Sequence, residues 1–222
     1  MQTMEYAAGR SVDVYGDPAR PAILLWHGMQ ARARVVLRPL ANLLADRGAT
    51  VVVPDWDSHA DDGGRAALSQ SLEFMQKRCE GRGFVLVGWS MGGLAAAGLT
   101  LARRDVPLTH TVCLAGLFTV PDPITGRIPC EGLTLEEIGA PFTLLHGLAD
   151  DVVPATGSRD FAARLERVGW PVDLFELAAD HGSIAGAEYD PAADRYHAAD
   201  GGRALDVAAE VAGRIAATLR YE

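Results

Sequence analysis

Phe84 to Val87 is an unbroken apolar run that ends at Gly88-Trp89-Ser90-Met91-Gly92, and a stretch built largely of Gly, Ala and Leu follows. A short apolar run bounded by glycine reads as a buried strand, and the small-residue segment from Met91 to Ala102 reads as a closely packed helix. Strand must therefore pass into helix at Ser90. A turn that sharp strains the backbone of its central residue and crowds the positions two before and two after it. Only small residues fit there, and Gly88 and Gly92 supply them. The serine hydroxyl is then held out above the end of the strand. This one feature demands a buried strand, a helix packed back along it and an accessible serine between them.

The rest of the chain repeats the alternation. Apolar runs at Ala22–Trp26, Thr50–Val53, Phe84–Val87, Thr109–Ala115, Pro141–Leu145 and Val172–Leu177 read as buried parallel strands. One intervening helix carries Val36, Leu40, Leu43 and Leu44 and stops at Gly48. The next places Leu68, Leu72, Met75 and Cys79 on one face. A third carries Phe161, Leu165 and Val168, and a last one Leu205, Ala208, Ala212, Ile215 and Leu219. Met4–Ala8 and Ser11–Tyr15 read as a short hairpin at the sheet edge. The pattern predicts a doubly wound, mainly parallel α/β sheet flanked by helices. With 222 residues, 49% of them hydrophobic, residues 1–222 are expected to form a single domain.

A serine hydroxyl is a weak nucleophile until a histidine takes its proton, and that histidine needs a carboxylate to orient it. Both partner types follow the apolar runs. Past Pro141–Leu145 comes His146-Gly147-Leu148-Ala149-Asp150-Asp151-Val152-Val153-Pro154, with a helix beginning near Pro154. Past Val172–Leu177 comes Ala178-Ala179-Asp180-His181-Gly182. Acids and histidine thus sit just beyond the carboxyl ends of strands, the edge at which open α/β sheets place their ligands.

In these segments the chain resembles the α/β-hydrolases, from about Pro21 to Leu219. Ile23-Leu24-Leu25-Trp26-His27-Gly28 is similar to the family's strand leading into His-Gly. Gly88-Trp89-Ser90-Met91-Gly92 is similar to its nucleophile elbow, His146-Gly147-x-x-Asp150-x-x-Val153-Pro154 to its acid loop, and His181-Gly182 to its histidine loop. The order serine, acid, histidine is the family's. The resemblance implies Ser90 as nucleophile, His181 as general base and Asp150 as orienting acid. It also implies backbone N–H groups of Met91 and Met29 as oxyanion donors. Asp151 stays open as the alternative acid, although the family spacing to Val153-Pro154 selects Asp150. His27 fits a hydrogen-bonding brace for the oxyanion loop. His59, His110, His146 and His197 are expected to be structural or exposed.

Two loops bear on substrate choice. Gly116–Ala140 leaves room for one short helix at Leu133–Ile138 and none for a cap domain, so the site should be shallow and open. Gly182–Gly202 is long for its place and reads equally as a flap over the site or as a solvated loop. Trp56, Trp89 and Tyr189 are candidate pocket residues, and Trp56 reads equally as a packed core tryptophan.

Twenty-nine acids against 20 bases, a formal charge of −9, argue against nucleic acid or an anionic membrane as partner. Cys79, Cys113 and Cys130 read as free thiols in a reducing cytoplasm. No apolar run approaches the roughly 20 residues of a membrane span, so a cytoplasmic location is expected. No metal-ligand spacing is present, and neither metal nor cofactor is expected. The sequence therefore reads as a serine hydrolase for carboxylic esters or thioesters of small soluble acids. The alternatives are a small peptidase or amidase, and a non-catalytic ligand-binding member of the fold. A serine at position 90 disfavours haloalkane dehalogenase, which uses a carboxylate, and dienelactone hydrolase, which uses a cysteine.

Overall fold

Eight strands form one sheet in the order β1-β2-β4-β3-β5-β6-β7-β8. In chain order they are β1 (Gln2–Ala7), β2 (Arg10–Tyr15), β3 (Ala22–Trp26), β4 (Thr50–Pro54), β5 (Phe84–Trp89), β6 (Leu108–Leu114), β7 (Phe142–Gly147) and β8 (Val172–Leu177). A computed structural model of the chain describes residues 1–129, 131, 133 and 138–219. From β4 to β8 every pairing is parallel; β1 and β2 form the expected antiparallel edge hairpin, and β2 pairs antiparallel with β4. This is the doubly wound, mainly parallel sheet that the sequence predicts. No helix among the described residues is long and apolar enough to cross a membrane.

Alternation along the central strands builds two cores, because successive side chains of a strand point to opposite faces. Ile23, Leu25, Val51, Val53, Val85 and Val87 join one core, which α1 (Arg38–Asp46) and α5 (Gly202–Ala216) cover. Leu24, Trp26, Val52 and Leu86 join the other, under α2 (Arg65–Cys79), α3 (Met91–Ala102) and α4 (Thr156–Arg167). The central strands are apolar on both faces for this reason. The short helical segment Arg34–Leu37 that precedes α1 is a 3-10 turn, so the helix read around Val36 begins later than its apolar spacing suggests.

One expectation needs correction. β8 is not buried: Asp173 and Glu176 are exposed, since β8 ends the sheet and has a neighbour on one side only. Gly182–Gly202, read as a flap or a solvated loop, carries regular structure. After a 3-10 turn at Ser183–Ala185 it forms a second, two-stranded sheet from β9 (Ala187–Asp190) and β10 (Arg195–Ala198). The helix expected at Leu133–Ile138 lies for the most part outside the described residues, as does Cys130. Cys79 and Cys113 are buried free thiols.

The glycines around Ser90 show why α3 is made of small residues. A Cβ at Gly88 would stand 2.1 Å from the Gly92 carbonyl oxygen. One at Gly92 would stand 2.4 Å from the His27 oxygen and 2.5 Å from that of Trp26. These neighbours are backbone, which cannot move aside, so α3 lies against the ends of β3 and β5 only because neither residue has a side chain.

Candidate active site

Ser90 sits between β5 and α3 at φ 56° and ψ −118°, in the left-handed half of conformational space that a residue with a Cβ rarely enters. Two bonds hold it there: its N–H donates to Leu114 O at 2.8 Å, and its own carbonyl accepts the Leu94 N–H at 3.1 Å. Met91 opens α3, and the first N–H groups of a helix have no partner within it. Unpaired donors therefore gather where the hydroxyl emerges.

The His27-Gly28-Met29 loop lies directly against this turn, and a Cβ at Gly28 would be 3.2 Å from Cβ of Ser90. His27 is fully buried with both ring nitrogens engaged. Nδ1–H donates to Gly28 O at 2.8 Å, and Nε2 accepts the Trp56 N–H at 3.1 Å. That pattern requires the neutral Nδ1–H tautomer. A trans peptide points its N–H opposite to its C=O, so fixing Gly28 O also aims the Met29 N–H. Ser58 Oγ donates to Met29 O at 2.9 Å and steadies the next peptide.

Burial, the largest influence on His27, lowers its pKa from 6.5 to about 4, although the Gly28 bond and the charges of Asp55 and Asp57 oppose it. The unfolded chain binds this proton below about pH 6.5 and the folded chain only near pH 4. Unfolding free energy is therefore expected to fall between those values, by on the order of 3 kcal/mol, and this contribution to change no further below pH 4. Denaturant titrations at pH 7, 5.5 and 4 measure it. His27→Asn keeps a donor for Gly28 O but cannot titrate, and should flatten the slope in that window. An unchanged slope would mean that His27 is not the group responsible.

Just beyond the end of β7, Asp150 has no exposed side-chain surface and both carboxylate oxygens engaged. Its Oδ1 accepts the N–H groups of Val152 at 3.0 Å and Val153 at 2.8 Å. Its Oδ2 lies 2.8 Å from His181 Nδ1 and 3.4 Å from His146 Nε2. Burial opposes the charge, but the hydrogen bonds from His146, His181 and Val153 outweigh it and hold the carboxyl well below the usual carboxylate range. Asp150 is thus the carboxylate that reaches His181; Asp151 is exposed. His181 Nδ1–H donates to Asp150, so in the neutral imidazole Nε2 is the nitrogen that can accept a proton.

The acid and histidine loops meet because Gly147 has no side chain: a Cβ there would be 2.3 Å from Ala179 O. Leu148 N–H then bonds Leu177 O at 2.8 Å, and Ala149 N–H bonds Ala179 O at 2.9 Å, which extends the β7–β8 pairing into the loops. Among the described residues no hydrogen bond joins the Ser90 hydroxyl to His181. Such bonds are often long until substrate is bound.

His146, expected to be structural or exposed, is structural. It is fully buried. Its Nδ1 accepts from Ser158 Oγ at 2.7 Å and its single Nε2–H is shared between Val153 O at 2.8 Å and Asp150 Oδ2 at 3.4 Å, so it ties the acid loop to α4. Trp89, read as a pocket residue, turns inward instead, and Trp56 takes the core alternative; they are only 2% and 3% exposed. Trp56 stacks on His27 with ring centres 5.5 Å apart and gives its indole N–H to His27 O. Trp89 gives its indole N–H to His181 O at 2.8 Å. An indole whose only polar atom is already bonded within the protein is held as a brace. Tyr189 is exposed and lines a cavity of about 870 Å³ together with His181, Asp151, Asp180 and Tyr196. No group of three or more His, Cys, Asp or Glu among the described residues is arranged to hold a metal ion.

Comparison with solved structures agrees with this architecture. The apo form of Thermogutta terrifontis esterase 2 superposes with a TM-score of 0.75 at 16% identity, over 100% of this chain and 96% of the other. The same esterase phosphorylated by paraoxon gives 0.73 at 17% identity, over 96% and 92%. MGS-M1, an alpha/beta hydrolase enzyme from a Medee basin deep-sea metagenome library, gives 0.67 at 16% identity, over 83% and 84%. No curated protein matches the sequence. The model of the alpha/beta hydrolase family matches residues 23–220, and the chain belongs to that family.

Proposed function

We propose that the protein is a serine hydrolase that cleaves carboxylic esters or thioesters of small soluble acids through an acyl-serine intermediate. The observation that carries this reading is the Asp150–His181 pair, 2.8 Å apart at the same sheet edge as the strained Ser90. Ser90 Oγ attacks the acyl carbon while its proton passes to His181 Nε2, and Asp150 stabilises the imidazolium. The N–H groups of Met91 and Met29 receive the oxyanion. As the tetrahedral species collapses, the C–O or C–S bond breaks and His181 protonates the departing alcohol or thiol. Water then gives a proton to His181 and attacks the acyl-serine, releasing the acid and restoring Ser90.

Small acyl groups are favoured by what surrounds the site. Met29, Leu148 and Val152, all in the loops at this edge, are exposed, and Val152 lines the cavity beside His181. A structure of the Thermogutta terrifontis esterase, a relative in fold, is butyrate-bound. An open surface buries little of a long chain, and each buried CH₂ is worth at most about 0.8 kcal/mol. On a series of chromogenic esters and thioesters, kcat/KM should therefore peak at acyl groups of roughly two to six carbons. Efficiency that climbs steadily through long chains would refute the open site. A protein that neither hydrolyses any of these nor reacts with a fluorophosphonate would refute the serine mechanism and leave a ligand-binding role.

A further inference from the structure

Tyr196, on β10, touches three separate parts of the site. Its backbone lies on the outer edge of the hairpin, where a strand presents N–H and C=O groups with no neighbour. Gln30, the residue after Met29, fills that edge with its side-chain amide. Tyr196 N–H donates to Gln30 Oε1 at 2.8 Å, and Gln30 Nε2 donates to Tyr196 O at 3.2 Å. The hairpin is thereby clasped to the oxyanion loop. The Tyr196 ring meets Trp89 edge to face, centres 5.2 Å apart and planes at 88°. It also lies 5.9 Å from the His181 ring. The fit extends to Gly182, where a Cβ would come within 3.0 Å of the Tyr196 ring and 2.8 Å of Ala187 O.

We propose that the β9–β10 hairpin is a strut that sets the His181 ring relative to the oxyanion loop, with Tyr196 and Gln30 as its positioning residues. The proposal rests on the reading of Ser90 and His181 given above. One bond to Asp150 fixes a single atom of the imidazole, and torsion about the bond to such a ring is broad. Trp89, 5.5 Å from His181, and Tyr196 occupy the space into which the ring would swing. Because the Gln30 clasp belongs to the loop that carries Met29, base and oxyanion donor are held as one unit. The phenol hydroxyl has no part in this. Burial, aided by the charges of Asp150, Asp151 and Asp180, raises its pKa to about 12, so it stays neutral.

The test uses the full chain, a short-chain chromogenic ester and the rate of fluorophosphonate labelling, with thermal melts to verify folding. Displacing a reacting group by about 1 Å costs on the order of 10²-fold. Tyr196→Ala is accordingly expected to lower kcat by roughly 30- to 100-fold with KM within about threefold of wild type. Gln30→Ala should lower kcat by about tenfold, and the double variant by less than the product, because both act through one strut. Tyr196→Phe keeps the ring and should stay within about twofold. In ¹⁵N–¹H spectra the Trp89 indole resonance, which reports its bond to His181 O, should move in Tyr196→Ala and Gln30→Ala but not in Tyr196→Phe. An unchanged kcat in folded Tyr196→Ala, or a loss confined to KM, overturns the strut and leaves the hairpin a mere wall. If Tyr196→Ala does not fold, Gln30→Ala decides, since it removes the clasp without opening the core. A wild type that neither hydrolyses nor labels defeats the prior reading of Ser90, an outcome distinct from an active wild type with indifferent variants.

Discussion

Replacing Ser90 by Ala is expected to lower kcat for ester hydrolysis by about 10⁴- to 10⁶-fold, with the melting curve nearly unchanged. The size of the loss follows from covalent catalysis. Without the hydroxyl no acyl-enzyme forms, and what remains is attack by water with help from the oxyanion donors and from binding. Stability should survive because no hydrogen bond of the Ser90 hydroxyl holds the fold together; the backbone bonds to Leu114 and Leu94 hold the turn. Alanine must still adopt φ near 56°, a strain that serine bears equally. Initial rates on a chromogenic acetate, with a melt on the same sample, are the measurement. A variant that keeps a tenth of the activity would sink the mechanism.

Asp150→Asn is expected to cost about 10²- to 10⁴-fold in kcat, and Asp151→Asn little. The surroundings of Asp150 dictate how the amide would sit. Two backbone donors, Val152 and Val153, already point at Oδ1, so the amide oxygen takes that place. Its NH₂ then falls where Oδ2 accepts from His181 Nδ1 and lies near His146 Nε2, putting donors against donors. His181 escapes by moving its proton to Nε2, which removes the base that should face Ser90. The imidazolium formed during attack also loses its carboxylate. Asp151 is exposed and makes no such contact. Side-by-side kinetics of the two variants check the assignment, and the reverse ranking would transfer the acid role to Asp151.

These effects concern residues that short-range pattern already singles out. The elbow is legible because its constraints lie within five consecutive positions: a strained turn at Ser90 needs small neighbours at 88 and 92, whatever the rest of the chain does. Core strands are legible because alternating faces leave their mark on adjacent residues, as Ile23 and Leu25 against Leu24 and Trp26 show. Asp150 and His181 stand out by following such strands in order. Where pattern misleads, the deciding partner is remote. β8 looks like a buried strand, yet its exposure depends on whether another strand lies beyond it. Nothing near Trp89 reveals that its indole bonds His181 O, 92 positions on, and nothing near Trp56 reveals a stack on His27, 29 positions back. The strands within Gly182–Gly202, four residues each, are too short to announce their hairpin, which packs on Trp89 and on Gln30, the latter 166 positions from Tyr196. By itself the sequence determined the doubly wound sheet, the turn at Ser90 and the order of the candidate groups, because local sterics and side-chain periodicity need no distant partner. Only the tertiary structure decided which carboxylate meets His181, which tryptophans turn inward and what holds the histidine in place. Each of those is a contact between segments that the chain keeps far apart and only packing brings together.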